Sequence, residues 1–106
     1  MLVMKDTGRI TELIRNDAVL ISGHARVRMF ERNISTDDLL EVLLSCEIIE
    51  EYPDDDPCPS SLILGFINHA AYHVVIAICT DHLRIITMYI PEDRKWTDYR
   101  KRRTEP

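Results

Sequence analysis

The sequence predicts an α+β fold in which N-terminal helices pack on one face of a three- to four-stranded antiparallel sheet, with a basic C-terminal segment. Three observations carry this. Apolar residues recur at helical spacing in the first 45 positions, then alternate or run together in short β-branched stretches after a proline-rich loop, and Pro91 closes the last of these. Runs of helices followed by runs of strands give a segregated α+β arrangement rather than a parallel βαβ one.

From Thr7 to Asp17, Ile10, Leu13 and Ile14 lie on one helical face between Arg9, Glu12 and Arg15, so a short amphipathic helix is expected. "NDAVLIS" reads as an extended connector. Ser22 is a candidate N-cap for a helix from about Gly23 to Asn33, and "STDD" at 35–38 caps a second helix over "DLLEVLLSC". The two meet in a tight corner at Asn33-Ile34.

"EIIEEY" is a candidate first strand. Pro53, Pro57 and Pro59 around three consecutive Asp residues then require an exposed loop, since proline neither continues a helix nor donates to a sheet ladder. "SLILGFI", "YHVVIAIC" and "LRIITMYI" have strand length and suit antiparallel hairpins through "NHAA" and "TDH". A two-residue turn after Cys79 would place Tyr72, Val74, Ile76, Thr87 and Tyr89 on one face and His73, Val75, Ala77, Ile86 and Met88 on the other. A three-residue loop would flip the pairing. "DRKWTDYRKRR" is expected as a closing helix or an irregular basic tail.

At 106 residues the chain suits one domain, residues 1–106, with one core. No apolar run approaches the ~18 residues of a membrane span. The N-terminus carries charges from Lys5 onward and does not read as an export leader, so the cytoplasm is the expected compartment. Cys46, Cys58 and Cys79 form no C-x-x-C pair and are odd in number, so reduced thiols are expected.

The net charge of −5 conceals three blocks. Residues 1–36 carry 6 basic and 4 acidic side chains, residues 37–83 carry 10 acidic and no Lys or Arg, and residues 84–106 carry 7 basic and 4 acidic. Such a chain can present a basic cleft built from its ends while its acidic middle faces elsewhere.

On a helix, His24, Arg28, Glu31 and Arg32 fall within a stripe about 100° wide, bordered by Val27, Phe30 and Ile34 on one side and Ala25 and Met29 on the other. Two readings stay open. Either a neutral His24 serves as general base while the planar forks of Arg28 and Arg32 hold phosphate oxygens, or the arginines pair with Glu31 and acids of the next helix and His24 is a capping or half-buried residue. Thr87 and Tyr89, at the end of the last strand, could reach a phosphate or sugar. Trp96 and Tyr99 beside Arg100, Lys101, Arg102 and Arg103 could track a nucleic-acid backbone and stack a base, or form a solvated tail. His69 and His73 are spaced as metal ligands on a helix can be, but they flank a turn and no third ligand has suitable spacing; no metal is expected. With three glycines there is no phosphate loop, dinucleotide fingerprint or nucleophile elbow, and no cofactor is expected.

Taken together, "SGHARVRMFERNIS", "DLLEVLLSCEIIEEYPDDDP", "LILGF", "YHVVIAI" and "IITMYIPEDRKWTDYRKRR" resemble the domain-of-unknown-function family 4258 over roughly residues 7–103. The pattern H-A-x-x-R-M-x-E-R-x-I-S followed by T-x-Y-x-P-x-x-x-x-W carries the resemblance. It implies distant similarity to RelE and BrnT toxins, a RelE- or barnase-like fold, and metal-independent RNA cleavage. In that reading His24 activates a ribose 2′-hydroxyl, Arg28 and Arg32 stabilise the phosphate, and His73 or Tyr89 assists the leaving group. It also implies RNA as substrate and an antitoxin-like partner, with the zinc-finger type as a candidate. The alternative is a non-catalytic module that binds protein or nucleic acid through a sheet edge or its basic tail.

Overall fold

The computed structural model describes residues 7–104; the reading of the N-terminal stretch before Thr7 lies outside them. The elements run α1 (Gly8–Arg15), β1 (Val19–Ile21), α2 (Gly23–Glu31), α3 (Thr36–Leu44), β2 (Glu47–Tyr52), β3 (Ser60–Ile67), β4 (Ala70–Ile78), β5 (Leu83–Tyr89), β6 (Trp96–Thr97) and β7 (Lys101–Arg102). The fold is α+β. Its main sheet has five strands in the order β1-β5-β4-β3-β2, and β6 pairs separately with β7.

The sheet is mixed, where an antiparallel sheet of three to four strands was expected. The fifth strand comes from the supposed connector: Val19, Leu20 and Ile21 lie parallel to Leu83, Arg84 and Ile85. Asp17, at φ 56°, turns the chain out of α1. The ladder is flanked by Leu83 N–H to Ala18 O at 2.8 Å and Ser22 N–H to Ile85 O at 3.0 Å. Three residues are too few for an alternation to be recognised.

The helices begin where their caps are. Ser22 Oγ accepts from Ala25 N–H, and Ser35 forms a reciprocal capping box with Asp38. Asn33, at φ 60°, closes α2 in the left-handed region, a conformation that Asn tolerates. Ile34 N–H then returns to Met29 O at 2.9 Å. Ile10 and Leu13 of α1, Ala25 and Met29 of α2, and Leu39, Val42 and Leu43 of α3 enter one core with Ile63, Val74, Ile76, Leu83, Ile85 and Met88 of the sheet.

Helix α3 rests on β3 at Gly65, where an added Cβ would lie 3.1 Å from the Val42 carbonyl oxygen and closer still to the Val42 side chain. A methyl group there must push the helix off the strand. Gly65→Ala is expected to destabilise the fold by about 1–3 kcal/mol, seen in urea unfolding as a lower midpoint with an unchanged m-value.

The β3–β4 turn is Asn68-His69, at φ 50° and φ 70° respectively. Positive φ at both positions is what a two-residue hairpin turn of matching twist requires. The β4–β5 turn also has two central residues, Thr80 and Asp81, with Cys79 N–H bonded to His82 O at 2.9 Å. The expected face assignment nevertheless fails, because a bulge intervenes: Ile76 pairs with Ile85 but Val75 pairs with Thr87, leaving Ile86 as the extra residue. Beyond it every β5 side chain changes sides. Met88 joins the helix-side core, while Thr87 and Tyr89 stand opposite Val75 and His73.

That second face of the sheet is partly covered by residues 92–103. Instead of a helix or irregular tail they form the β6–β7 hairpin, with Trp96 opposite Arg102 and Thr97 opposite Lys101. Asp98 and Tyr99, at φ 53° and 61°, make its turn. Trp96 is only 4% exposed. Cys58 and Cys79, expected as reduced thiols, are joined in a disulfide with a Cα–Cα distance of 5.2 Å. The β3–β4 register, continued by Ile78 N–H to Pro59 O at 2.9 Å, brings them opposite each other. Among the described residues Cys46 remains a free thiol, and burial pushes its pKa up to about 11. Such a thiol is inert.

Candidate functional site

The stripe on α2 is exposed. His24, Arg28, Glu31 and Arg32 all face solvent, and Arg32 closes the helix as its C-cap. Arg28 Nη1 lies 3.0 Å from Glu31 Oε1, an i,i+3 ion pair. One border of the stripe, Ala25 and Met29, is buried; on the other Ile34 is buried, whereas Val27 is exposed and Phe30 is 87% exposed. A surface pair of this kind contributes little, so Arg28→Ala should cost no more than about 0.2–0.5 kcal/mol in thermal unfolding.

His24 belongs to a second setting as well. It lines a cavity of about 400 Å³ together with Ser22, Ser60, Arg84, Asp55 and Asp56, over apolar surface from Ala77 and Ile86. The bulge builds one wall. Ser22 Oγ donates to the Ile86 carbonyl at 2.8 Å while accepting from Ala25 N–H at 3.0 Å, which ties the first turn of α2 to β5. The opposite wall is the proline-rich loop between β2 and β3, where the Ser60 hydroxyl bonds to the Asp55 carboxylate. Among the described residues, neither the His24 nor the Arg84 side chain has a hydrogen-bond or ion-pair partner. An unengaged imidazole and an unengaged guanidinium thus share one open cleft.

Sequence reasoning missed Arg84. The available signal was a charge in the otherwise apolar strand "LRII", but its link to His24 runs through the β1–β5 pairing and the bulge, neither of which has a local signature. Arg28 and Arg32 do not line this cavity.

His73 and Tyr89 lie on the same face of the sheet, since His73, Val75 and Ala77 alternate along β4, but outside the cavity lining. The His73 ring is fully buried. Its Nε2 is 2.6 Å from the Tyr99 carbonyl oxygen. That oxygen can only accept, so Nε2 carries the proton and Nδ1 is left as an acceptor. Nδ1 accepts from the Tyr89 hydroxyl at 3.2 Å. Burial lowers the His73 pKa below its ordinary 6.5, outweighing the Tyr99 carbonyl and the Glu50 carboxylate, which both favour the charged form. Burial likewise raises the Tyr89 phenol. Both ring nitrogens are occupied: Nε2 ties the turn of the β6–β7 hairpin to the sheet, and Nδ1 joins β4 to Tyr89 of β5.

The residues expected to contact nucleic acid divide in the same way. Trp96 packs edge-on to His73 at 4.4 Å between ring centroids, with the Arg102 guanidinium 4.6 Å from its ring, so neither Trp96 face is open to a base. Arg102 Nε is 2.8 Å from Glu50 Oε2, and Arg100 Nε is 3.0 Å from Glu47 Oε2. Burial raises the Glu50 carboxyl, but hydrogen bonds from Arg102 and Tyr52 dominate and hold it below its usual 4.5. The ion pair in turn raises Arg102. Lys101 and Arg103 remain exposed, Arg103 bonding to the Asp93 carbonyl at 2.5 Å, and Thr87 is half-buried. The basic run is therefore partly consumed by the acidic strand β2. This pairing of charge blocks, basic end against acidic middle, could not be assigned from block totals.

Among the described residues no helix is long and apolar enough to cross a membrane. Neither the comparison with curated proteins nor that with solved structures finds a match. One family model does match, over residues 21–90, a span that runs from β1 through the bulged β5 and contains His24, Arg84, His73 and Tyr89. The chain belongs to the family described as Domain of unknown function (DUF4258).

Proposed function

We propose that this protein is a metal-independent endoribonuclease of the toxin type, distantly related to RelE and BrnT, with its reacting centre in the cleft between α2, β5 and the proline-rich loop. The observation that supports this reading is the shared cavity of His24 and Arg84, both with side chains lacking partners among the described residues. His24 takes the proton of a ribose 2′-hydroxyl; the oxygen attacks the adjacent phosphorus, giving a 2′,3′-cyclic phosphate and a 5′-hydroxyl, and water protonates the leaving oxygen in the open cleft. Arg84 offers its planar fork to the phosphate oxygens as charge builds. Arg28 and Arg32, on the outer surface of α2, then serve the RNA strand beyond the cleft. His73 and Tyr89 act as architecture. The partners are RNA and, as a second element of the same reading, an antitoxin-like protein met in the cytoplasm, with the zinc-finger type as a candidate.

The test is incubation of the purified protein, with its Cys58–Cys79 bond intact and after reduction by a dithiol, with single-stranded RNA in excess chelator. Cleavage with cyclic-phosphate ends is the expected result; intact RNA under all salt conditions would favour the second reading, a non-catalytic binding module. That reading draws on the exposed apolar pair Val27 and Phe30 beside Arg28, a surface suited to a protein contact.

A further inference from the structure

The proposed cleft contains its own contradiction: an RNA strand would have to enter past Asp55 and Asp56. With the one guanidinium of Arg84 against the two carboxylates of Asp55 and Asp56, the charge facing a phosphodiester is unfavourable. Both carboxylates sit on the loop joining β2 to β3, and Cys58 lies on the same loop and lines the same cavity. The Cys58–Cys79 bond fastens that loop to the end of β4.

We propose that the Cys58–Cys79 disulfide is a redox gate on this cleft, closed to polyanions when oxidised and open when reduced. The inference rests on the RNA reading above, and it accounts for the acidic wall that reading leaves unexplained. Oxidised, the bond keeps the loop, with Asp55 and Asp56, against the cavity. Among the described residues the remaining ties of residues 54–58 are the Ser60 hydroxyl to Asp55, and Asp55 N–H to Tyr52 O at 3.2 Å. Neither is covalent. The strands themselves do not depend on the bond, because Ile78 N–H to Pro59 O at 2.9 Å and the Ser60–Ala77 pair continue the ladder inward from it. Reduction therefore frees residues 54–58 and leaves β3 and β4 paired.

The reductant is a dithiol. One of its thiolates attacks the Cys58 sulfur, the more exposed of the two, and Cys79 leaves and takes a proton. The second thiolate of the reductant then displaces Cys58, which is protonated in turn. Two electrons and two protons pass to the protein, and the reductant is left as a disulfide.

Two measurements test the gate without relying on cleavage. Hydrogen exchange of the peptide covering residues 53–59 is compared in oxidised and dithiol-reduced protein, with reduction confirmed by mass. Affinity for a short single-stranded 2′-O-methyl RNA, which cannot be cleaved by 2′-hydroxyl attack, is measured in both states at low salt. Faster exchange confined to residues 54–58 and binding tighter by roughly tenfold on reduction are expected. Asp55→Asn with Asp56→Asn should raise the affinity of the oxidised protein and remove most of its redox dependence. A Cys58→Ser, Cys79→Ser variant should match the reduced state; where it does not fold, the wild-type protein in dithiol supplies the same comparison. Unchanged exchange at 54–58, or equal binding in both states, overturns the gate, and equal binding leaves the RNA reading standing. Binding in neither state, with the loop nonetheless released, overturns the RNA reading and the gate with it.

Discussion

His24→Ala is expected to lower the rate of RNA cleavage by about 10²–10⁴-fold, the contribution of a positioned general base, with the melting temperature nearly unchanged. The separation of the two effects follows from the environment. His24 is exposed and its side chain has no hydrogen-bond partner among the described residues, so removing its ring leaves no buried polar group unsatisfied and no cavity in the core. Arg84→Ala should show a loss of comparable kind, about 10²–10³-fold, and Arg84→Lys only partial recovery, since an ammonium keeps the charge but not the bidentate fork. If His24→Ala melts as the wild type and cleaves as the wild type, the cleft is not the reacting centre.

The opposite pattern is expected at His73. His73→Ala should destabilise the fold by about 3–5 kcal/mol, because it empties a fully buried ring site and strands the Tyr99 carbonyl and the Tyr89 hydroxyl. The β6–β7 hairpin would lose the His73–Tyr99 bond and the Trp96 ring contact while keeping its Arg100–Glu47 and Arg102–Glu50 pairs, so amide exchange around Trp96 should rise most. The pH dependence has a definite sign. The folded-state pKa of His73 lies below its unfolded value near 6.5, so under mildly acidic conditions the unfolded chain binds a proton that the folded one does not. The contribution of His73 to stability is therefore greatest above pH 6.5 and declines as the pH falls from there toward the depressed folded-state pKa. The difference in unfolding free energy between wild type and His73→Ala should shrink as pH is lowered from 7 to about 5, and comparing the two proteins cancels the titration of the other groups. A difference independent of pH would show that His73 is not held neutral.

These two histidines illustrate what could and could not be read in advance. Both were visible as candidates by residue type. Their roles were not, because role depends on partners: His24 opens on a cleft with Arg84, whereas His73 is enclosed by Trp96, Tyr89 and the backbone of Tyr99. The expected alliance of His24 with Arg28 and Arg32 assumed that residues on one helical stripe act together. Here a helix only about two and a half turns long presents its first turn to β5 and the rest of the stripe to solvent.

The local elements were determined by the sequence itself. The starts of α2 and α3 follow from Ser22 and Ser35, the end of α2 from Asn33, the exposed loop from Pro53, Pro57 and Pro59, and strands β3, β4 and β5 from their β-branched runs. Each of these depends on side chains within a few residues of the backbone they control, so neighbours in sequence suffice. Pairing over distance was decided only by the tertiary structure. A three-residue strand found its parallel partner more than sixty positions away, Cys58 met Cys79, the basic tail folded back onto Glu47 and Glu50, and one extra residue at Ile86 moved Thr87 and Tyr89 to the other face of the sheet. The physical reason is the two-residue period of a strand: a single inserted residue reverses every side chain beyond it, and its position is set by packing across the sheet rather than by any preference of the residues alone.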